Sequence, residues 1–418
     1  MSTLGKKQAS EELKVNGYAI LVAALAALTW GASFISRQVW SSAIASESTL
    51  SSLGITALQA GGIATAFYIG YVASNFFSGF IIDKFGTRFS LALTAVGTGI
   101  ATLLIPVCTG YWAMFILRVL AGVFAGPLFS CIVKCNYGYF PDRLRAVMTG
   151  FLGSGASIGT AIASIWFTPM VAQRGYKIAF TYAGITTLAV GIVVYLLVKD
   201  QGVMKPIHKM ETLSEDDKRN ATKNAVKVFM QKDFLIGSVT HFLCLCASTG
   251  MNTWMLAYLI KGKGMDAAVA GLVFGSSAMV GLVSGTAAGA LSDLIKTRKW
   301  LLVVSAPITF ALFMMFLRID SVAGLTLIFV ILKFTQSFVG TASNTMQSER
   351  AKGSYSGKVM GWYNAICQLG SVVMPTVLGG VLTKTGDYGQ VVVWIAGVYL
   401  CIMLLGLLVK DTYKKKAL

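Results

Sequence analysis

Charge is scarce along these 418 residues: 12% are charged, and only 17 are Asp or Glu against 35 Lys and Arg. Soluble domains carry about 25% charged residues, so a chain that is also 55% hydrophobic is expected to be a polytopic membrane protein whose main partner is the lipid bilayer. Histidine is scarcer still, at two residues, one of them His241. The seven cysteines (Cys108, Cys131, Cys135, Cys244, Cys246, Cys367 and Cys401) fall at or within apolar runs and show none of the paired spacings of a zinc or redox site. They are most simply small packing residues. No nucleophile elbow, Walker loop or zinc-protease helix is found, so neither an enzyme nor a cofactor or metal is expected. The first 17 residues are polar and lack the apolar core and cleavage site of a secretory signal, so the first apolar run is expected to be retained as a helix.

What the chain does hold is a repeat. Gly79-Phe80-Ile81-Ile82-Asp83-Lys84-Phe85-Gly86-Thr87-Arg88 is echoed 210 residues later by Gly289-Ala290-Leu291-Ser292-Asp293 and Lys296-Thr297-Arg298-Lys299. Each copy closes an apolar run with Gly and Asp four apart and then a basic cluster, a duplication typical of secondary transporters. Runs of roughly 20 apolar residues predict twelve spans, near 18–44, 57–82, 89–109, 111–135, 145–170, 178–198, 234–260, 267–291, 300–317, 322–346, 358–383 and 389–409. The chain then reads as a tail (1–17), a six-helix bundle (18–198), a polar linker (199–233), a second six-helix bundle (234–409) and a tail (410–418). The linker is expected to be a partly helical surface tether. With both termini cytoplasmic, 25 Lys and Arg fall in cytoplasmic segments and six in outer ones, as the positive-inside rule requires. The same split accounts for the formal charge of +18 without nucleic acid. A monomer is expected.

Ionisable groups at membrane depth are costly and by default functional. Four cations fall within spans, Arg37, Arg118, Lys134 and Lys333, whereas every acid can be placed outside the spans or at their ends. A positive interior without its own carboxylate predicts a small anionic substrate. Lys333 lies about 16 Å into span ten at 1.5 Å per residue, where snorkelling is hardest. Arg37 shares a helical face with Trp30, Phe34 and Ser41, and could bind substrate or snorkel outward. Arg118 could bind substrate or hydrogen-bond backbone carbonyls. Lys134 reads as an interfacial anchor. Polar and aromatic groups that could complete a pocket are Tyr68, Tyr71 and Asn75 in span two, Asn252, Trp254 and Tyr258 in span seven, and Tyr363, Asn364 and Gln368 in span eleven. Each of these is equally compatible with packing. Gly281, Gly285 and Gly289, four apart in span eight, point to close helix packing.

The duplicated motif and the six-plus-six layout resemble the major facilitator superfamily over the whole chain. Within it, Arg118-Val119-Leu120-Ala121-Gly122 with Gly126-Pro127-Leu128-Phe129, Tyr139-Phe140-Pro141-Asp142-Arg143 with Arg145, Thr253-Trp254 with Tyr258-Leu259, and Gly361-Trp362-Tyr363-Asn364 with Gly370 and Pro375 are similar to stretches of the anion:cation symporter family of sugar-acid and organic-anion transporters. The resemblance implies an all-α membrane fold of 12 transmembrane helices in two pseudo-symmetric six-helix bundles. It implies substrate-binding roles for Arg37 and Tyr71, and a cytoplasmic gate built on Asp83, Lys84 and Arg88 with their echo Asp293 and Arg298. Proton-coupled members commonly carry an acid beside the helix-one arginine and another in the fourth-helix motif; here Ser36 and Ala125 stand at those places. That departure favours anion exchange or uniport over proton symport. A symporter that titrates His241, and a ligand sensor signalling through 199–233, remain as other readings.

Overall fold

A computed structural model describes residues 15–108, 110–199, 223–351 and 356–413 and is helical almost throughout. Eleven helices are long and apolar enough to cross a membrane, and a bent pair brings the number to twelve. The crossings are α1 (Gly17–Ala45), α2 (Ala57–Asn75), α3 (Lys84–Val107), α4 (Tyr111–Tyr139), α5 (Val147–Arg174), α6 (Tyr176–Leu197), α7 (Lys232–Gly262), α8 (Ala267–Leu294), α9 (Lys299–Arg318), α10 (Val322–Arg350), α11 (Val359–Thr385) and α12 (Tyr388–Leu408). The short helix Glu47–Leu53 precedes α2 at 91°. Most bounds fall within about a turn of the apolar runs, but α2 ends at Asn75, short of the expected residue 82, and α3 begins at Lys84, ahead of the expected residue 89, because the chain breaks at Phe76 and Phe77.

The ends are set by side chains that satisfy the orphan N–H groups of a first turn. Asn16 accepts from the Ala19 N–H at 2.8 Å, Asp266 from Ala268 at 2.8 Å, and Asp387 from Gly389 at 2.7 Å. Thr56 and Gln59 form a reciprocal capping box at the head of α2. Close approach fixes the interior: a Cβ on Gly122 of α4 would sit 1.9 Å from the Phe67 carbonyl oxygen of α2, so these helices touch backbone to backbone. Of the predicted linker, residues 200–222 lie outside the described part. Residues 223–229 are helical, and Ala225 and Val228 pack with Phe234, Val359 and Tyr363 of the second half.

The repeat is visible in backbone geometry. Gly86 adopts φ 77°, kinking the chain within the first turn of α3, and Lys296, its equivalent 210 residues later, adopts φ 54°. Glycine enters that left-handed region freely, whereas a side chain there costs roughly 1–2 kcal/mol.

The two halves, α1–α6 and α7–α12, meet at one end and part at the other. At the end carrying residues 45–57, Gln38 Nε2 donates to the Asn252 carbonyl at 3.1 Å and Ser41 Oγ to the Thr253 carbonyl at 2.8 Å. Thr65 Oγ1 donates to the Val372 carbonyl at 2.7 Å, the Leu58 N–H donates to Thr383 Oγ1 at 2.9 Å, and Lys261 pairs with Glu47 at 3.0 Å. A Cβ on Gly61 would lie 2.3 Å from the Pro375 carbonyl oxygen. At the opposite end, Gly79, Gly150, Gly153, Gly285, Gly289, Gly340 and Gly361 have no neighbour within 4 Å of such a Cβ. The stripe predicted for close packing in α8 is therefore split: Gly281 meets Ser157 of α5, while Gly285 and Gly289 face open space.

Two outcomes follow. Lys296→Gly should raise the thermal midpoint in detergent, by a net of about 0.5–1 kcal/mol after the entropy of the added glycine, whereas Lys299→Gly within α9 should lower it; a fall for both would mean that φ 54° carries no strain. Gly61→Val should drive the halves apart at their closed end. Spin labels on Ser52 and Thr385, in a cysteine-free background, should then report a longer distance, and an unchanged distance would show that this contact does not hold the end shut.

Candidate functional site

The centre of the molecule is built around Arg37. Its guanidinium carbon lies 4.4 Å from the Phe34 ring centroid, 4.9 Å from Phe67, 5.2 Å from Tyr71 and 5.3 Å from Tyr68. Phe34 comes from the preceding turn of α1. The other three share a face of α2 through i, i+1 and i+4 spacing, with Phe67 and Tyr71 stacked at 6.4 Å. Ring faces attract the cation but accept no hydrogen bond of ordinary strength. Arg37 Nε is buried without an acceptor, and no carboxylate pairs with this side chain among the described residues.

Arg118 lies behind this cage at 1% exposure. Its Nη1 donates to the Ser36 carbonyl at 2.9 Å and its Nη2 to the Arg37 carbonyl at 3.2 Å. The fork thus grips the backbone of α1 at the residue whose side chain enters the cage, which is the backbone-bonding alternative read from the sequence. Ser36 Oγ lies 2.9 Å from Thr187 Oγ1 of α6, which holds the same turn from its other side.

Lys333 enters from the second half. It lines a cavity of about 300 Å³, with its Nζ 3.4 Å from Asn252 Oδ1 and 5.7 Å from the Phe274 ring centroid. Phe34 crosses from the first half into this wall, and hydroxyls line much of the rest, among them Ser157, Thr160, Ser248 and Ser284. A smaller cavity of about 20 Å³ holds Arg37, Tyr68 and Arg118, and Asn252 borders both. The structure therefore brings Arg37, Tyr68, Tyr71, Asn252 and Lys333 together.

The other candidates fall elsewhere. Trp254 is fully buried and donates from Nε1 to the Pro375 carbonyl at 3.0 Å, so it braces α7 against α11. Gln368 accepts from Ser371 at 3.4 Å and Asn364 is exposed; neither borders the two cavities. Asn75 turns back to the Tyr71 carbonyl at 2.9 Å. Lys134, the predicted interfacial anchor, reaches the Ile82 carbonyl at 3.4 Å. Sequence reading missed Phe67, Gln336 and the serines of the cavity wall. Gln336 could have been found, since it sits one turn beyond Lys333 on the same face.

The duplicated motifs lie at the parted end, and their visible contacts run within each half. Arg88 donates from Nε to the Tyr195 carbonyl at 2.8 Å with its guanidinium over the Tyr195 ring, and Lys84 lies 5.3 Å from the Phe85 ring centroid. The Asp83 side chain is outside the described part. Arg298 pairs with Asp293 at 2.7 Å and reaches Glu349 of α10 at 3.5 Å. Asp411 caps this corner. Burial pushes its carboxyl upward, but hydrogen bonds from the Thr297 hydroxyl and from the N–H groups of Tyr413, Arg298 and Lys299 outweigh that and hold it below the usual carboxylate range.

Residues 20–375 match the family model described as Major Facilitator Superfamily. The chain belongs to the major facilitator superfamily. Its superfamily relatives include the probable galactarate/D-glucarate transporter GudP of Escherichia coli, 22% identical over 320 residues that cover 71% of each chain. The probable sulfoacetate transporter SauU of Cupriavidus necator is 24% identical over 80% of this chain and 81% of its own. The hexuronate transporter of Bacillus subtilis is 23% identical over 80% and 82%. A bacterial homologue of the human lysosomal transporter Spinster, crystallised inward-facing and unoccupied, shares the fold at a TM-score of 0.76 and 16% identity, covering 94% of this chain and 97% of that one. The D-xylose-proton symporter shares it at 0.73 and 16%, covering 96% and 99%.

The two arginines should separate cleanly in a thermal denaturation series. Arg118→Lys keeps a buried charge but loses the fork on the Ser36 and Arg37 carbonyls, and is expected to cost about 1.5–3 kcal/mol of stability. Arg37→Gln removes a cation that, among the described residues, has ring faces but no carboxylate beside it, so its stability should match or exceed the parent's. A large loss for Arg37→Gln, with none for Arg118→Lys, would reverse these assignments.

Proposed function

We propose that this protein is a secondary transporter that moves a small organic anion by alternating access, through exchange or uniport rather than with protons. One observation carries the reading: Arg37 stands at the meeting point of the halves in an aromatic cage, with no carboxylate to neutralise it. A planar carboxylate or sulfonate would receive two parallel N–H bonds from that fork. The relatives' named substrates, sugar diacids, sulfoacetate and hexuronate, are all anions of this kind. In this reading Arg37, Lys333, Tyr68, Tyr71 and Asn252 touch substrate, and Arg118 positions Arg37.

The excess of Lys and Arg at the terminus-bearing end favours an inner-membrane topology with both termini in the cytoplasm. The parted end then faces the cytoplasm, and the site is open to it. The motif residues Asp83, Lys84, Arg88, Asp293 and Arg298 would come together when that end closes. Exchange follows from the same charge argument, because an empty positive site is the species least able to cross between the two faces. A proton-coupled reading is favoured by one observation alone: His241 lines the larger cavity with its Nδ1 buried and unpartnered.

Counterflow in proteoliposomes distinguishes these readings. Labelled galactarate, sulfoacetate or glucuronate should enter vesicles preloaded with the same unlabelled anion, with no pH gradient and with a protonophore present, and Arg37→Gln should abolish entry. Uptake that requires an inward proton gradient and is lost in His241→Gln would favour symport. Binding of these anions without movement in either assay would leave a receptor and sink the transport reading.

A further inference from the structure

We infer that the substrate is a dianion with its charges at opposite ends, one received by Arg37 and the other by Lys333. The inference rests on the organic-anion reading above and names its substrate class.

The two cations come from different halves, α1 and α10, and among the described residues neither has a carboxylate partner. They are poles of one site because Asn252 borders both cavities: its Oδ1 accepts from Lys333 Nζ at 3.4 Å, and the same residue lines the smaller cavity with Arg37. Among the described residues the Asn252 side chain engages Lys333 through Oδ1 alone, which leaves its amide N–H₂ to donate to a bound molecule. Phe34 makes the second link, lying 4.4 Å from the Arg37 guanidinium while lining the Lys333 cavity.

The two poles differ in chemistry. The Arg37 fork stands between flat ring walls and suits a planar carboxylate met edge-on. Lys333 offers a compact ammonium in a roomier chamber with hydroxyls and the unpartnered His241 Nδ1, which suits a carboxylate, sulfonate or phosphate joined to a hydroxylated chain. The chamber of about 300 Å³ is at the small end of ligand pockets and accommodates a molecule of a few carbons. A monoanion would neutralise one cation and leave the other buried with nothing opposite it. A dianion pairs both, so that neither Arg37 nor Lys333 is left without an opposite charge as the halves rock. Lys333 is thereby the residue that selects two charges over one.

The test compares matched anions on the purified full-length protein: galactarate with galactonate, and sulfoacetate with acetate, by ligand-induced thermal shift and by competition against labelled galactarate. The parent should favour the dianion of each pair by about tenfold or more, the range expected for an added charge-assisted contact. Lys333→Gln should lose that preference while keeping its affinity for the monoanion, which also shows that it is folded. If Lys333→Gln does not fold, Lys333→Arg keeps the charge and must keep the preference. Equal affinity within each pair for the parent overturns the inference, as does a preference that survives Lys333→Gln or vanishes in Lys333→Arg. If only monoanions bind, the anion reading stands and this one falls; if none of the four binds, both fall.

Discussion

A cation at membrane depth with no opposite charge is the constraint around which the centre of this protein is organised. Even on a lenient scale such a charge costs about 2.5–3.5 kcal/mol, and a ring face returns about 0.5–2 kcal/mol of it. The four rings around Arg37 therefore make the empty site tolerable without neutralising it. They also flank the guanidinium on several sides, at 4.4–5.3 Å. Arg118 does the complementary work behind the cage. By gripping the carbonyls of residues 36 and 37, it fixes the piece of helix that aims the charge. Arg37 is left for a ligand, while both terminal nitrogens of Arg118 are spent on the α1 backbone and only its Nε lacks an acceptor.

The bonding within and between the halves differs in kind. Between them, the contacts are mostly neutral hydroxyl or amide groups on backbone carbonyls, such as Ser41 on Thr253 and Thr65 on Val372. Hydrogen bonds of this sort in a membrane average about 0.6 kcal/mol. The charged clasp, Glu47 with Lys261, has its carboxylate 84% exposed and contributes little. Within the halves, charge-assisted contacts join the neutral ones: Arg298 with Asp293 and Glu349, Arg88 on the Tyr195 carbonyl, Arg118 on α1. Stiff halves joined by contacts that are individually weak are what a rocking motion requires, since each half moves as a body and the interface is broken one small bond at a time.

The fold was largely legible because a bilayer leaves few options: an apolar run of about 20 residues must be a helix, and a 210-residue repeat must be two bundles. The helix ends were less so, since Asn16 and Asp387 act as caps through geometry that hydropathy does not encode. In the site, Arg37 and Lys333 could be found because charge at depth is rare, and Tyr68 and Tyr71 because their spacing shares a face. Phe67 could not, being one of 24 phenylalanines whose role depends on what α1 presents to it. Trp254 misled for a related reason. Its sequence neighbourhood resembles a binding helix, yet its N–H is needed by the Pro375 carbonyl, and a lone residue gives no sign of which way it faces. The glycine stripe of α8 was legible as a pattern, but its packing changes along the helix because the halves diverge there.

Ser36 and Ala125 show how the charge imbalance is kept by packing as well as by composition. Both are buried to within 1% of full exclusion, and Ser36 Oγ is tied to Thr187, so the place beside Arg37 where an acid could stand is turned into the first bundle and away from the cavity. Arg118 takes the carbonyls of residues 36 and 37 as partners, and α1 is held by those bonds. Among the described residues the interior is thus left with positive charge at Arg37 and Arg118 that no carboxylate pairs with. In the proposed reading, neutrality at the centre comes from outside the chain, supplied by the anion that the site carries.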